Sequence, residues 1–268
     1  MYFFITKKFN FIVKFRIIYI MRRITILLFC LIFPVILYSQ SVKDSSLQVH
    51  FASLHFGYQI PGGDIAKRYG NSGYAGISYF FKTSSNWIIE AQYDYIFGEN
   101  HKEPEIFSNI TTKEGLFFTK DGGFLEIVQR ESGFFGGIKI GRIIPVFSKN
   151  PNSGILIQLG GGLLQYKTTL DGNDNIPAVD KDHIKGYDRL CNGLALNQFI
   201  GYMHFDARSR INFYAGFEFF QAWTSNRRDF DYYTMSKMVG NRHDYLYSFK
   251  FGWLVPFSQR SPDKYYFN

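Results

Sequence analysis

Six side chains have the chemistry of an ion or proton path: Glu90, Asp94, Lys139, Gln158, Glu218 and Lys250. Each lies in a segment where apolar and polar residues alternate, in phase with the polar positions. Side chains alternate faces along a strand, so one face would carry the charges and the other the rings. In Trp87–Gly98, for example, Trp87, Ile89, Ala91, Tyr93, Tyr95 and Phe97 alternate with Glu90, Gln92 and Asp94. Carboxylates and lysines enclosed together must pair, because isolated charges are costly to bury. The set therefore reads as a salt-bridged plug, with an ion or proton path as the sharper alternative. Other catalytic chemistry has little support. Three histidines lie on candidate strands, His50, His55 and His204, and only His55 falls near an outer rim. No G-x-S-x-G elbow and no H-E-x-x-H pair occurs. We therefore expect no catalytic residue, no cofactor-binding residue and no metal ligand.

The alternation recurs in eight segments, about 47–58, 72–82, 87–98, 133–147, 154–168, 190–205, 211–223 and 245–257. The first shows a slip of phase near Ser53, as a bulge would cause. The connections run long, short, long, short, long, short, long. Membrane barrels carry this asymmetry, with short periplasmic turns and long outer loops, and an even strand count leaves both termini on the periplasmic side. Every segment is long enough for the ~9–11 residues a membrane strand needs. The predicted fold is all-β: an eight-stranded antiparallel up-and-down transmembrane β-barrel. Eight strands leave no continuous aqueous channel, which favours the plug over the path. Alternation alone does not say which face points in. Ring bulk does: the aromatics of the last segment are too large for a narrow lumen, whereas its Gly, Ser, Lys and Leu positions fit.

Composition agrees. Gly 25, Phe 30 and Tyr 19 against Pro 8 and Cys 2 is β-leaning and aromatic-heavy. Mean hydropathy is −0.13, too polar for a helical membrane protein. The net charge of +8 arises mostly from Lys7, Lys8, Lys14, Arg16, Arg22 and Arg23. The rest of the chain carries 24 basic against 22 acidic residues, which excludes a nucleic-acid surface. Residues 21–40 (MRRITILLFCLIFPVILYSQ) read as a cleaved secretory signal, and 1–20 as an upstream extension, translation starting at Met21. Residues 41–268 then form a single barrel domain, with the barrel at about 47–257. Cys30 lacks a lipobox, since Phe29 precedes it. Cys191 alone remains after export and fills interior space rather than reacting.

The Ser39-Gln40 exit, the final strand LYSFKFGWLVPF at 246–257 and the glycine–aromatic rhythm are similar to small outer-membrane β-barrel proteins of Bacteroidota. The style is that of PorT-like and OmpA/OmpX-like barrels. The resemblance spans about residues 40–257 and is architectural. It departs at the end, where eleven residues follow the terminal strand and the chain closes on Asn268 rather than an aromatic. It implies an outer-membrane location and a structural, interaction or type IX secretion role. Two alternatives stay open: a lipid-active barrel enzyme using His55 with a Ser or Asp at the rim, and a secreted soluble β-barrel or sandwich that binds a ligand.

The long loops supply the contact candidates. Arg227, Arg228, Tyr232 and Tyr233 form an aromatic-basic cluster suited to lipopolysaccharide or a protein partner. Expected partners are outer-membrane lipid and lipopolysaccharide, with other outer-membrane or periplasmic proteins. Residues 171–175 (DGNDN) resemble the start of a calcium loop, but Ile176 stands where the turn needs glycine. Asn109-Ile110-Thr111 fits a glycosylation sequon and reads as chance.

Overall fold

The computed structural model describes residues 46–148, 150–170, 176–179, 183–205 and 211–260. The proposed extension and signal at 1–20 and 21–40, the 171–175 loop and the polar turn at 206–210 lie outside these residues. The barrel belongs to the compact unit Asp44–Val146 and Asn150–Asn268.

Eight strands close into a ring: β1 (Gln48–Gly63), β2 (Ser72–Lys82), β3 (Trp87–Gly98), β4 (Gln129–Ile144), β5 (Gly154–Leu170), β6 (Cys191–His204), β7 (Phe213–Asn226) and β8 (Asn241–Arg260). Every neighbour is sequential and antiparallel, and β1 closes on β8. Closure leaves no unpaired edge. The alternation fixes the faces. In β3 the odd positions are exposed and the even ones buried from Trp87 to Phe97. In β8, Tyr247, Phe249, Phe251 and Trp253 are about half exposed, while Ser248 and Lys250 are buried.

Strands β2 and β3 match the bounds read from sequence. β1, β4, β5, β7 and β8 run further at the loop end, and β6 is one residue shorter at each end than the 190–205 read from sequence. The polar stretch 241–244, read as loop, pairs with β7 from Ala222 to Ser225. Nor does the phase slip at Ser53: the odd residues Val49, Phe51, Ser53 and His55 all point inward. The irregularity lies between His50 and Phe51, where β8 contributes an extra residue, Phe257. Val49 and Phe51 looked out of phase only because this end of the lumen is apolar.

The lumen is layered. At the short-turn end Phe51, Phe80, Phe199, Met203 and Tyr214 interlock. At the long-loop end Tyr74, Phe135, Tyr166 and Phe220 do the same. The layer between them holds the densest charge cluster, while Lys82 is buried at the short-turn end and Glu131 and Asp244 at the long-loop end. The lumen thus admits rings as well as small groups, and lumen-facing glycines make the room. A Cβ on Gly57 would stand 2.1 Å from Tyr74 Cζ, and one on Gly252 2.3 Å from Tyr214 Cε1. Overpacking of this kind costs about 1–3 kcal/mol. Gly252→Ala should lower the urea unfolding midpoint accordingly, and most of the loss should vanish in a Tyr214→Leu background. Simple additivity of the two changes would contradict this fit.

Candidate functional site: a buried charge layer beneath a folded lid

The charge layer is assembled from four strands. Glu90 on β3 faces Lys139 on β4 in direct register. Glu218 on β7 and Lys250 on β8 reach them across the lumen. Lys139 Nζ lies 2.8 Å from Glu218 Oε1 and 3.1 Å from Glu90 Oε2. Lys250 Nζ lies 3.5 Å and 3.6 Å from the same two carboxylates. Two acids and two bases therefore form a closed, charge-balanced square, each side chain no more than 1% exposed. Neutral groups complete it. Tyr74 Oη donates to Glu218 Oε2 at 2.6 Å, Asn197 Nδ2 to Glu218 Oε1 at 3.0 Å, and Lys250 Nζ to Gln92 Oε1 at 2.8 Å. A buried pair holds only when geometry and extra hydrogen bonds offset desolvation, and this square has both.

Asp94 sits four residues from Glu90 on the same face, outside the square. Its Oδ1 meets His55 Nε2 at 2.5 Å, and Gln92 Nε2 donates to its Oδ2 at 2.9 Å. Ser78 Oγ lies 3.3 Å from the other His55 nitrogen and donates to Glu90 Oε1 at 2.8 Å. Ser78, His55 and Asp94 have the composition of a nucleophilic triad. Their setting is different. The imidazole is fully buried in mid-lumen, not at a rim, and the serine proton is committed to Glu90. Sequence reasoning missed this membership. The available signal was Gly76, the β2 residue opposite His55, where a Cβ would stand 2.5 Å from Nε2. Gln158 also faces the lumen, but away from the square, and neither amide atom has a hydrogen-bond partner. Among the described residues no cluster of His, Cys, Asp and Glu could hold a metal ion.

The long loops fold over the open end as a lid with its own apolar centre, including Phe107, Phe117, Val179 and Tyr187. Ion pairs tie it together. Arg189 bonds both Glu103 and Asp231, and Arg228 bonds Asp188. The four predicted contact residues are parts of this lid. Arg227 Nε donates to Asn192 Oδ1 at 2.5 Å. Tyr232 is half-buried against Tyr187 and Gly186. Tyr233 donates to Glu105 at 3.3 Å and lies under the Arg189 guanidinium. Nothing in strand periodicity reports such loop-to-loop pairing.

His101 is a partly buried titratable group of the lid. Its Nδ1 accepts from the Glu103 amide at 3.2 Å, and its Nε2 lies 3.2 Å from Thr168 Oγ1. Burial pushes its pKa down to about 4 from an ordinary 6.5, opposed by Glu103 and reinforced by Arg189 and Arg68. The folded lid thus binds fewer protons than the opened one. Its stability should be full above about pH 6.5 and decline as pH falls toward 4. Protease cleavage within residues 99–128 should accelerate over that window, and His101→Gln should flatten the profile. Identical pH profiles for both proteins would contradict the role given to His101.

The geometry defines a class: a closed eight-stranded barrel, sealed by rings and a charge square, apolar outside. No known protein family matches the sequence, and no curated protein does. Solved structures with a similar outline include Neisserial surface protein A, at 10% identity and a TM-score of 0.41, covering 78% of this chain and 97% of that one. The attachment invasion locus protein Ail of Yersinia pestis is 10% identical with a TM-score of 0.40, covering 78% and 99%. The outer membrane protein OprG of Pseudomonas aeruginosa is 10% identical with a TM-score of 0.33, covering 79% and 98%. At such identity and overlap the likeness carries no inference, and the barrel stands on its own hydrogen-bonded ring.

Proposed function

We propose that this chain is a non-enzymatic β-barrel of the bacterial outer membrane with a sealed lumen. One observation carries the reading: the wall is inverted relative to a soluble protein. Leu54, Phe56, Ile77, Ile138, Phe217 and Trp253 are each more than half exposed, while Glu90, Lys139, Glu218 and Lys250 are buried. Soluble chains do not present so continuous an apolar surface to water. A bilayer accepts it, provided that the backbone is satisfied by closure. A secreted soluble sandwich or lipocalin-like barrel would need the opposite arrangement.

Sealing gives the barrel no conduction path, so its work falls to the lid and the outer wall. The role is structural or interactive, through contact with lipid, lipopolysaccharide, and outer-membrane or periplasmic proteins. Arg227, Arg228, Tyr232 and Tyr233 contribute to the lid face that meets them. The architectural resemblance to Bacteroidota barrels adds association with type IX secretion as the specific setting. Residues 21–40 deliver the chain as a cleaved export signal, 1–20 are an upstream extension, and 41–268 form one domain. A lipid-active enzyme is disfavoured, because the Ser78–His55–Asp94 group has no approach for a substrate.

The test is membrane fractionation of the full chain. Carbonate and Sarkosyl should leave the protein in the outer-membrane pellet, and its gel mobility should shift on heating. Release by carbonate, with heat-independent mobility, would refute the reading.

A further inference from the structure

One outward side chain breaks the apolar wall at its middle. Gln198 lies midway along β6, between Leu196 and Ile200 on the same face. Its register partners are Leu159 on β5 and Phe219 on β7, both outward. The middles of other strands carry apolar groups outward, such as Ile77, Tyr93, Ile138 and Phe249. At the rise of a tilted strand, Gln198 stands about 15 Å below either end of β6. Its own reach is far shorter, so the amide does not extend to either interface. It makes no hydrogen bond with the described residues. An unsatisfied amide in hydrocarbon is strongly unfavourable.

The surroundings extend the exception. Gln221 faces out diagonally above Gln198, since its register partner on β6 is Leu196. Above that, Asn192 Nδ2 donates to Gln165 Oε1 at 3.3 Å. These polar positions share one face of β5 to β7 with Leu163, Leu194, Leu196 and Trp223, which stand between them. Beside Gln198 the wall has a hollow of about 550 Å³, bordered by Leu159, Ile200, Phe217 and Tyr247. Phe217 protrudes next to it, 66% exposed.

Resting on the membrane reading above, we propose that two copies of this chain pair through this face, with their Gln198 amides hydrogen-bonded to each other. An amide carries a donor and an acceptor, so it is complementary to itself. A two-fold axis along the membrane normal brings each residue to its own copy at the same depth. The second copy therefore supplies the missing partner by symmetry, without a separately evolved group at mid-bilayer. The same axis offers each Phe217 knob to the hollow of the other copy. Polar pairs between membrane segments strengthen association several-fold each, and two such bonds would form here.

The test uses the full chain in outer membranes. Gln198→Cys should give a disulfide-linked dimer under mild oxidant, its mass that of two copies. Ile77→Cys, on the opposite side of the ring, should not; Cys191 is buried and does not compete. In nanodiscs, Gln198→Leu should reduce the dimerisation constant roughly tenfold. Phe219→Cys gives a second crosslinking position if Gln198→Cys assembles poorly. A Phe219→Cys protein, its Gln198 intact, that is membrane-integral and heat-modifiable yet stays monomeric, or crosslinks to a different protein, would overturn the pairing and leave the membrane reading intact. Release of the chain by carbonate would instead overturn both.

Discussion

Glu218→Ala should be the most damaging single change inside the barrel, costing about 3–5 kcal/mol. Glu218 is the carboxylate nearest Lys139, and it also accepts from Tyr74 and Asn197. Its removal leaves two fully buried ammonium groups with Glu90 as the remaining carboxylate of the square. The expected result is a large fall in the urea midpoint of the folded chain in micelles, with a reduced share of the fast-migrating folded band. Charge balance predicts the rescue. Lys139→Met combined with Glu218→Leu leaves the Lys250–Glu90 pair, 3.6 Å apart, as a balanced remainder. The double variant should therefore lose less than the sum of its parts. Lys139→Met or Lys250→Met with unchanged midpoint and assembly would show that the square is not an interlock.

Ile138→Arg is the second large effect, and it acts from the other face. Ile138 is 63% exposed near the middle of β4. Its outward neighbours in register are Ala91 and Gly161, so an arginine meets no steric obstacle. In water this substitution on an exposed strand position would be close to neutral. In hydrocarbon it should cost about 2–4 kcal/mol, as arginine does at the bilayer midplane of a barrel. The sign and size of this change therefore separate a membrane wall from a solvated one. Arg142, also outward, shows where a cation is tolerated: nearer the short-turn end, over the Trp87 ring at 5.9 Å.

Much of this was legible in the chain because a two-residue period is local. Trp87–Gly98 alternates from end to end, and its bounds follow directly, while those of Ser72–Lys82 follow from the polar turns on either side. The inward phase of Glu90, Lys139, Gln158, Glu218 and Lys250 follows for the same reason. What periodicity does not report is which inward residues meet. That depends on ring closure and register, so Gln158 stands apart while His55 joins the layer. Lumen rings such as Phe80 and Tyr214 were also hidden, because their room comes from glycines on other strands. The lid was hidden altogether. Arg189 reaches Glu103 and Asp231 from distant loops, and loops carry no period.

Three tryptophans offer the most direct test of the central orientation. Trp87, Trp223 and Trp253 all face outward, at 47%, 47% and 56% exposure, and the sequence contains no others. After reconstitution into vesicles, lipids brominated along their acyl chains should quench most of the indole fluorescence, while aqueous acrylamide should quench little. Emission indifferent to brominated lipid but strongly quenched by acrylamide would place that face in water and contradict the account.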